Sequence, residues 1–237
     1  MRHILTAMFA AVLYAHGDTA LQSGPKRVSV LELYTSEGCS SCPPAEAWLE
    51  RLKSSPRLWN TLIPVAFHVD YWDDLGWKDR FAKPEYTSRQ RAYSVVWGNS
   101  SVYTPGFVLD GQEWQGWFSG DPLPDPGKQP TGTLELKISD KRASIEYSGA
   151  PGVKEVDVYL VPLEMDVSSE VLAGENRGRH LTHSFVALAL ASHRLTHQSG
   201  KFQVELPFDY PSANAVAVWV TPAGSAQPIQ ATGGYLK

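Results

Sequence analysis

Leu31-Glu32-Leu33-Tyr34-Thr35-Ser36-Glu37-Gly38-Cys39-Ser40-Ser41-Cys42-Pro43-Pro44-Ala45 decides how this chain is read. It joins a largely apolar strand candidate, Val28 to Tyr34, to two thiols separated by two residues and then to Pro43-Pro44. Proline is tolerated in the first turn of a helix because its missing N–H would be unpaired there anyway. Ala45, Trp48, Leu49 and Leu52 then recur at helical spacing, with Glu46, Glu50, Arg51 and Lys53 assigned to the outer face. A cysteine at a helix N-terminus faces unpaired N–H groups and the positive end of the dipole, which favours its thiolate. Cys39 is therefore expected to be the exposed, attacking thiol, and Cys42, one turn in, the resolving one. An inert disulfide is the main competing reading. A four-residue ring stabilises by only about 2 kcal/mol on loop-closure arithmetic, so it is a weak staple. A reduced pair that selects Cu(I) is the third.

Working outward, Ile63 to Val69 reads as a second buried strand. His68-Val69-Asp70-Tyr71-Trp72-Asp73 follows at its C-terminal end, the edge where open α/β sheets bind ligands. Trp72 and Trp77 are candidate substrate-facing aromatics, and His68 is a candidate for proton movement near neutrality. No metal geometry is fixed among His68, Asp70 and Asp73, so no metal is assigned. Thr87 to Trp97 reads as an inserted helix with Arg89 and Tyr93 on one face. Gly106 to Leu109 is a third strand. Asp110-Gly111 is a hairpin turn, and Gln112 to Trp117 returns antiparallel.

Asp121 to Pro130 holds four prolines in ten residues and forms neither a helix interior nor a central strand. It is the expected linker, 121–130, between an α/β part, 26–120, and a β-rich part, 131–237. Strand candidates in the latter are Thr133 to Ile138, Ala143 to Tyr147, Val156 to Leu163, Phe202 to Leu206 and Ala215 to Val220. Leu181 to Leu195 fits either one long strand or a helix. These short strands between turn residues suggest a small sandwich. Residues 1–20 read as a secretory signal peptide: Arg2 and His3, an apolar stretch from Ile4 to Tyr14, then Ala15, Gly17 and Ala20 as possible cleavage positions. The stretch is too short to span a bilayer core as a helix.

The chain has 237 residues and a net charge of −4, with no basic run, which argues against a nucleic-acid partner. Its two cysteines exclude a disulfide scaffold and a four-thiolate zinc site. Seven of the eight tryptophans fall between Trp48 and Trp117. No nicotinamide, flavin or phosphate loop is visible, and no cofactor is expected.

Together with His68 to Asp73, Leu75-Gly76-Trp77-Lys78-Asp79, Arg89-Gln90-Arg91-Ala92-Tyr93, Val102-Tyr103-Thr104-Pro105 and the late block Gly174-Glu175-Asn176-Arg177-Gly178-Arg179, the opening stretch resembles a family of exported, thioredoxin-like proteins of uncharacterised function. The resemblance implies an α/β thioredoxin-like domain with a helical insertion, followed by a mostly β, sandwich-like C-terminal domain. It implies Cys39 as the attacking cysteine, Cys42 as the resolving one and Pro105 as a cis-proline beside them, with Thr104 offering backbone to a peptide. Gly38 stands where ordinary thioredoxin has Trp, and Ser40-Ser41 where it has Gly-Pro. The expectation is thus a secreted or periplasmic protein, not integral to the membrane once its signal is removed. It exchanges disulfides with protein or peptide thiols through an unidentified redox partner. The alternatives are a peptide- or ligand-binding protein with a structural disulfide, or a copper-handling protein. Glu175, Asn176, Arg177 and Arg179 read as a charged loop or a contact with the first part.

Overall fold

The computed structural model describes residues 18–149, 152–196 and 201–237. The first seventeen residues of the expected signal lie outside these. In chain order the elements are β1 (Thr19–Gln22), β2 (Ser29–Thr35), α1 (Pro43–Glu50), β3 (Leu62–His68), α2 (Pro84–Val96), β4 (Gly106–Leu109), β5 (Gln112–Glu113) and α3 (Gly116–Ser119). Then come β6 (Thr133–Ser139), β7 (Arg142–Ser148), β8 (Glu155–Glu164), β9 (Val167–Glu170), β10 (His180–His183) and β11 (Val186–Ala187). The chain closes with β12 (Ala191–Thr196), β13 (Phe202–Pro207), β14 (Ala215–Pro222) and β15 (Gln230–Tyr235). An α/β N-terminal region with an inserted helix is thus followed by a β-rich C-terminal region. No helix of the described residues is long and apolar enough to cross a membrane.

Every residue of β2 and of β3 is buried, as expected of strands covered on both faces. They pair in parallel, and β4 joins β2 antiparallel. The open flank of β3 is taken by β11, which runs parallel to it with Val186 opposite Ala66. β11 also pairs antiparallel with β8. One nine-stranded sheet therefore runs β15-β14-β8-β11-β3-β2-β4-β5, with β12 also on β8. The regions before and after the proline-rich stretch share this sheet.

A second sheet, β1-β6-β7-β13, packs on its C-terminal half. The alternation of β14 shows how: Val216, Val218 and Val220 enter the core of this sandwich, while Ala215, Ala217 and Trp219 enter the core of the α/β region. Tyr159 of β8 stacks on Trp219 at 5.2 Å.

Several boundaries differ from the sequence expectation. Helix α2 starts at Pro84, three residues before the expected Thr87, because proline suits its first turn. The returning strand stops at Glu113. Trp114 and Trp117 turn back onto Phe107, each 5.7 Å away, and Gly116–Ser119 is helical. The ambiguous stretch from Leu181 to Leu195 resolves into strands from three pairings: the end of β10, all of β11 and most of β12. Residues 121–129 carry no strand or helix. Arg57 donates to the carbonyls of Leu123 (3.0 Å) and Pro124 (2.7 Å) and so pins that segment. Because β1 begins at Thr19 and pairs with β6, cleavage after Ala20 would cut a paired strand, whereas cleavage after Ala15 or Gly17 leaves it whole.

Between α2 and the sheet, Glu32 and Arg89 form a buried bidentate pair, both bonds 2.8 Å. The Tyr34 and Tyr93 hydroxyls donate to the same carboxylate at 2.7 and 2.6 Å. The guanidinium is boxed by Phe67, Tyr93, Tyr159 and Trp219. Burial, followed by the Glu32 charge, pushes both phenols well above their ordinary range. Burial would push Arg89 down, but the Glu32 charge outweighs it and holds the group fully ionised. Removing one partner of a buried pair strands the other's charge. Arg89→Met is therefore expected to lower unfolding stability by about 3–5 kcal/mol. Urea titration would check this, and an unchanged midpoint would show that the pair contributes nothing net.

Candidate functional site

Cys42 caps α1, and Pro43 and Pro44 fill its first turn. Cys39 and Cys42 are joined in a disulfide with Cα atoms 5.4 Å apart. The Ser41 hydroxyl donates toward Cys39 Sγ at 3.3 Å. The Thr104–Pro105 bond is cis, and the Thr104 carbonyl oxygen lies 3.8 Å from Cys39 Sγ. The sequence thus placed Cys39, Cys42, Thr104 and Pro105 together correctly. It did not foresee how they are covered. Cys39 was expected to be the exposed thiol, but both cysteines are 0% exposed. The turn presents Ser40 and Ser41 to solvent instead.

Two aromatic residues hold the surroundings. Trp72 Nε1 donates to Thr104 Oγ1 at 2.9 Å. Its Cβ would lie 3.0 Å from a Cβ at position 38, so the departure at Gly38 has a steric reason: Trp72 already covers that backbone. Trp77 Nε1 donates to Glu37 Oε2 at 2.7 Å. Both indoles are half-buried with their N–H groups turned inward. Gln90 Nε2 donates to the Tyr103 carbonyl at 2.7 Å and Gln90 Oε1 accepts from the Tyr71 hydroxyl at 3.2 Å, which fixes the chain entering Thr104. Arg89 is committed to Glu32 and does not face the disulfide.

The loop from Gly174 to Arg179 lies over the CxxC turn. Asn176, 0% exposed, donates to the carbonyls of Glu37 (2.8 Å) and Cys39 (2.9 Å). Glu175 accepts the Ser40 N–H at 3.1 Å. Gly174 and Gly76, both at positive φ, let two turns pass in contact. This cluster is the contact with the α/β region that the sequence left as one of two options.

Beneath the turn lies a buried polar cluster that the sequence reading largely missed. His68 was expected to serve substrate, but its side chain is fully buried and its Nδ1 lies 2.7 Å from Asp79 Oδ2. It presents no surface to a bound molecule. Asp79 also accepts the N–H groups of Glu37 (2.8 Å) and Phe81 (2.9 Å). Burial pushes its carboxyl up, but His68 and these donors outweigh burial and hold it below the ordinary range. Glu46, assigned to the outer face of α1, turns inward to the Thr35 hydroxyl and to His183 Nδ1. His183 Nε2 faces Glu37 Oε1 at 3.2 Å. Burial disfavours the His183 imidazolium, yet the two carboxylates on its nitrogens hold its pKa up at about 10. The available signals were slight. Glu46 sits one helical turn beyond Cys42, and His183 alternates with Leu181, both buried.

A family model described as a protein of unknown function, DUF1223, matches residues 30–221. The chain belongs to that family. This DUF1223 protein also resembles two solved structures. A protein from Agrobacterium tumefaciens aligns with 22% identity and a TM-score of 0.64, covering 90% of this chain and 96% of its own. HBP35 of Porphyromonas gingivalis aligns with 15% identity and a TM-score of 0.59, covering 90% of this chain and 76% of its own. At these identities the likeness is one of fold. No curated protein matches. The thioredoxin-like domain with a CxxC pair and the β-rich C-terminal region agree with the expected family.

Asn176→Leu removes both bonds, with an expected loss of about 1–3 kcal/mol, and leaves the buried Glu37 carbonyl without this donor while the Cys39 carbonyl keeps the Cys42 N–H at 3.2 Å. It is also expected to speed reduction of the disulfide by dithiothreitol, followed by thiol labelling under native conditions. A wild-type reduction rate in a folded variant would show that the Asn176 clamp does not limit access.

Proposed function

We propose that this DUF1223 protein is an exported thiol-disulfide oxidoreductase acting on protein or peptide thiols. The observation that carries the reading is the position of the Cys39–Cys42 bond, at the head of α1 with the Thr104 carbonyl 3.8 Å from Cys39 Sγ. A backbone carbonyl beside the sulfur offers an acceptor to an extended peptide. An open cleft of about 570 Å³ is bordered by Phe118 and by Tyr103, the residue before Thr104, and would give such a chain an aromatic wall. The leader-like residues 1–20 support an oxidising compartment, where a disulfide persists.

In the oxidising direction a substrate thiolate attacks Cys39 Sγ, and the Cys42 thiolate leaves. A second substrate thiolate attacks the substrate sulfur of the mixed disulfide and expels the Cys39 thiolate. Two electrons pass to the pair and the substrate gains one disulfide. The reverse sequence reduces a substrate disulfide. In either direction the positive end of the α1 dipole favours the thiolate form.

The binding-protein reading draws on one specific observation, the complete burial of both cysteines. The redox potential separates the two. Equilibration of the mature protein in glutathione buffers is expected to give a reversible potential between about −270 and −120 mV, the span from thioredoxin to a strong periplasmic oxidant. Cys42→Ser is expected to accumulate a mixed disulfide at Cys39, visible by mass spectrometry. A potential below about −300 mV, or no exchange with the buffer, would favour a structural disulfide.

A further inference from the structure

We propose that Glu46, His68 and His183 form a binding site for a divalent transition cation of the zinc class, buried beneath the CxxC turn. One ligand atom from each lies within 4.8 Å of the others, and all three residues are buried. The two imidazoles meet edge to face, with centroids 5.1 Å apart.

Three features make this more than a chance meeting of polar side chains. The first is a free lone pair. Asp79 accepts at His68 Nδ1 and so fixes the tautomer that leaves Nε2 as an acceptor. Nε2 is buried and has no hydrogen-bond partner among the described residues. A buried polar atom without a partner is costly and calls for an explanation. A cation at Nε2 removes that cost.

The second is the outer shell. Metal-bound histidines commonly donate their other N–H to a carboxylate, which orients the ring and strengthens it as a ligand. Asp79 already does this for His68. The Thr35 hydroxyl orients Glu46 from behind, and Trp77 orients Glu37, which stands on His183 as a further carboxylate. The Phe81 ring, 5.2 Å from His68 and 5.6 Å from His183, gives the site an apolar wall.

The third is the balance of groups. Glu37, Glu46 and Asp79 are three buried carboxylates, and among the described residues their ion-pair partners are His68 and His183 alone, with no Lys or Arg. Buried charges are normally paired or coordinate metals. Zinc takes the place of the proton that His183 shares with a carboxylate, and two imidazoles and a carboxylate then form a nitrogen and oxygen set suited to zinc and its neighbours. The set lacks the thiolates and thioethers that select Cu(I), and it offers too few oxygens for calcium. Zinc bonds of about 2.0–2.2 Å require the three side chains to close inward on the ion. The site is separate from the disulfide sulfurs and stands whether or not the pair is redox-active.

The test uses the oxidised protein, produced without a histidine tag, stripped with a chelator and titrated with Zn²⁺. Bound metal is measured by equilibrium dialysis and elemental analysis. One zinc per chain is expected. Loss of Asp79 orientation in Asp79→Asn should weaken binding about 10–100-fold. His68→Gln and His183→Gln should abolish it, and Cys39→Ser/Cys42→Ser should retain it. Wild-type protein labelled on its imidazole nitrogens gives a readout that needs no variant: the His68 Nε2 and His183 resonances should shift on adding zinc. Unmoved resonances, sub-stoichiometric zinc, retention in the histidine variants or loss in the cysteine variant would each overturn the assignment.

Discussion

The pairing of β11 with β3 governs the architecture around the disulfide. The α/β region leaves one flank of β3 unpaired, and a buried strand cannot leave its N–H and C=O groups without partners. Val186 settles against Ala66, and the Phe185 carbonyl takes the Ala66 N–H at 2.8 Å. That register carries His183, only three residues before Val186, under α1. It also draws the preceding chain across the CxxC turn, where Asn176 grips the carbonyls of Glu37 and Cys39. The same short strand holds β8, so the sandwich is attached to the α/β region through the sheet.

The interior separates two kinds of buried charge. Glu32 and Arg89 neutralise each other within an aromatic box, with the Tyr34 and Tyr93 hydroxyls donating to the same carboxylate. That arrangement locks α2 onto the sheet. Beneath the CxxC turn, among the described residues, the carboxylates outnumber the basic side chains, and one imidazole nitrogen faces no partner. A core that served packing alone would match its polar groups, as the first cluster does. The unbalanced polar groups lie where the proposed cation would sit.

Local rules reached the parts of the site that are close in sequence. Cys39, Cys42 and the prolines after them specify a disulfide at a helix start, and Thr104-Pro105 was placed beside them through the family's blocks. The helical pattern put Glu46 outward because most glutamates on short helices face water. The carboxylate turns in because His183 arrives from 137 residues away in sequence. His68 looked available because it ends a strand at the ligand-binding edge, but Asp79 and Phe81 close over it. Cys39 looked exposed because its position heads a turn before a helix, but it is buried, and its backbone is held by Asn176, more than 130 residues on.

The amino-acid order alone determined the strand–thiol–helix unit, the strand alternation that builds two cores, and the family. The first two follow from spacings of a few residues, where propensity and periodicity act; the family follows from the resemblance of whole motif blocks and the match over residues 30–221. The tertiary structure decided that both regions share one sheet, that the cysteines lie under a clamp, and that two histidines and three carboxylates converge below them. Those outcomes depend on one long-range strand pairing, and no local pattern encodes its partner.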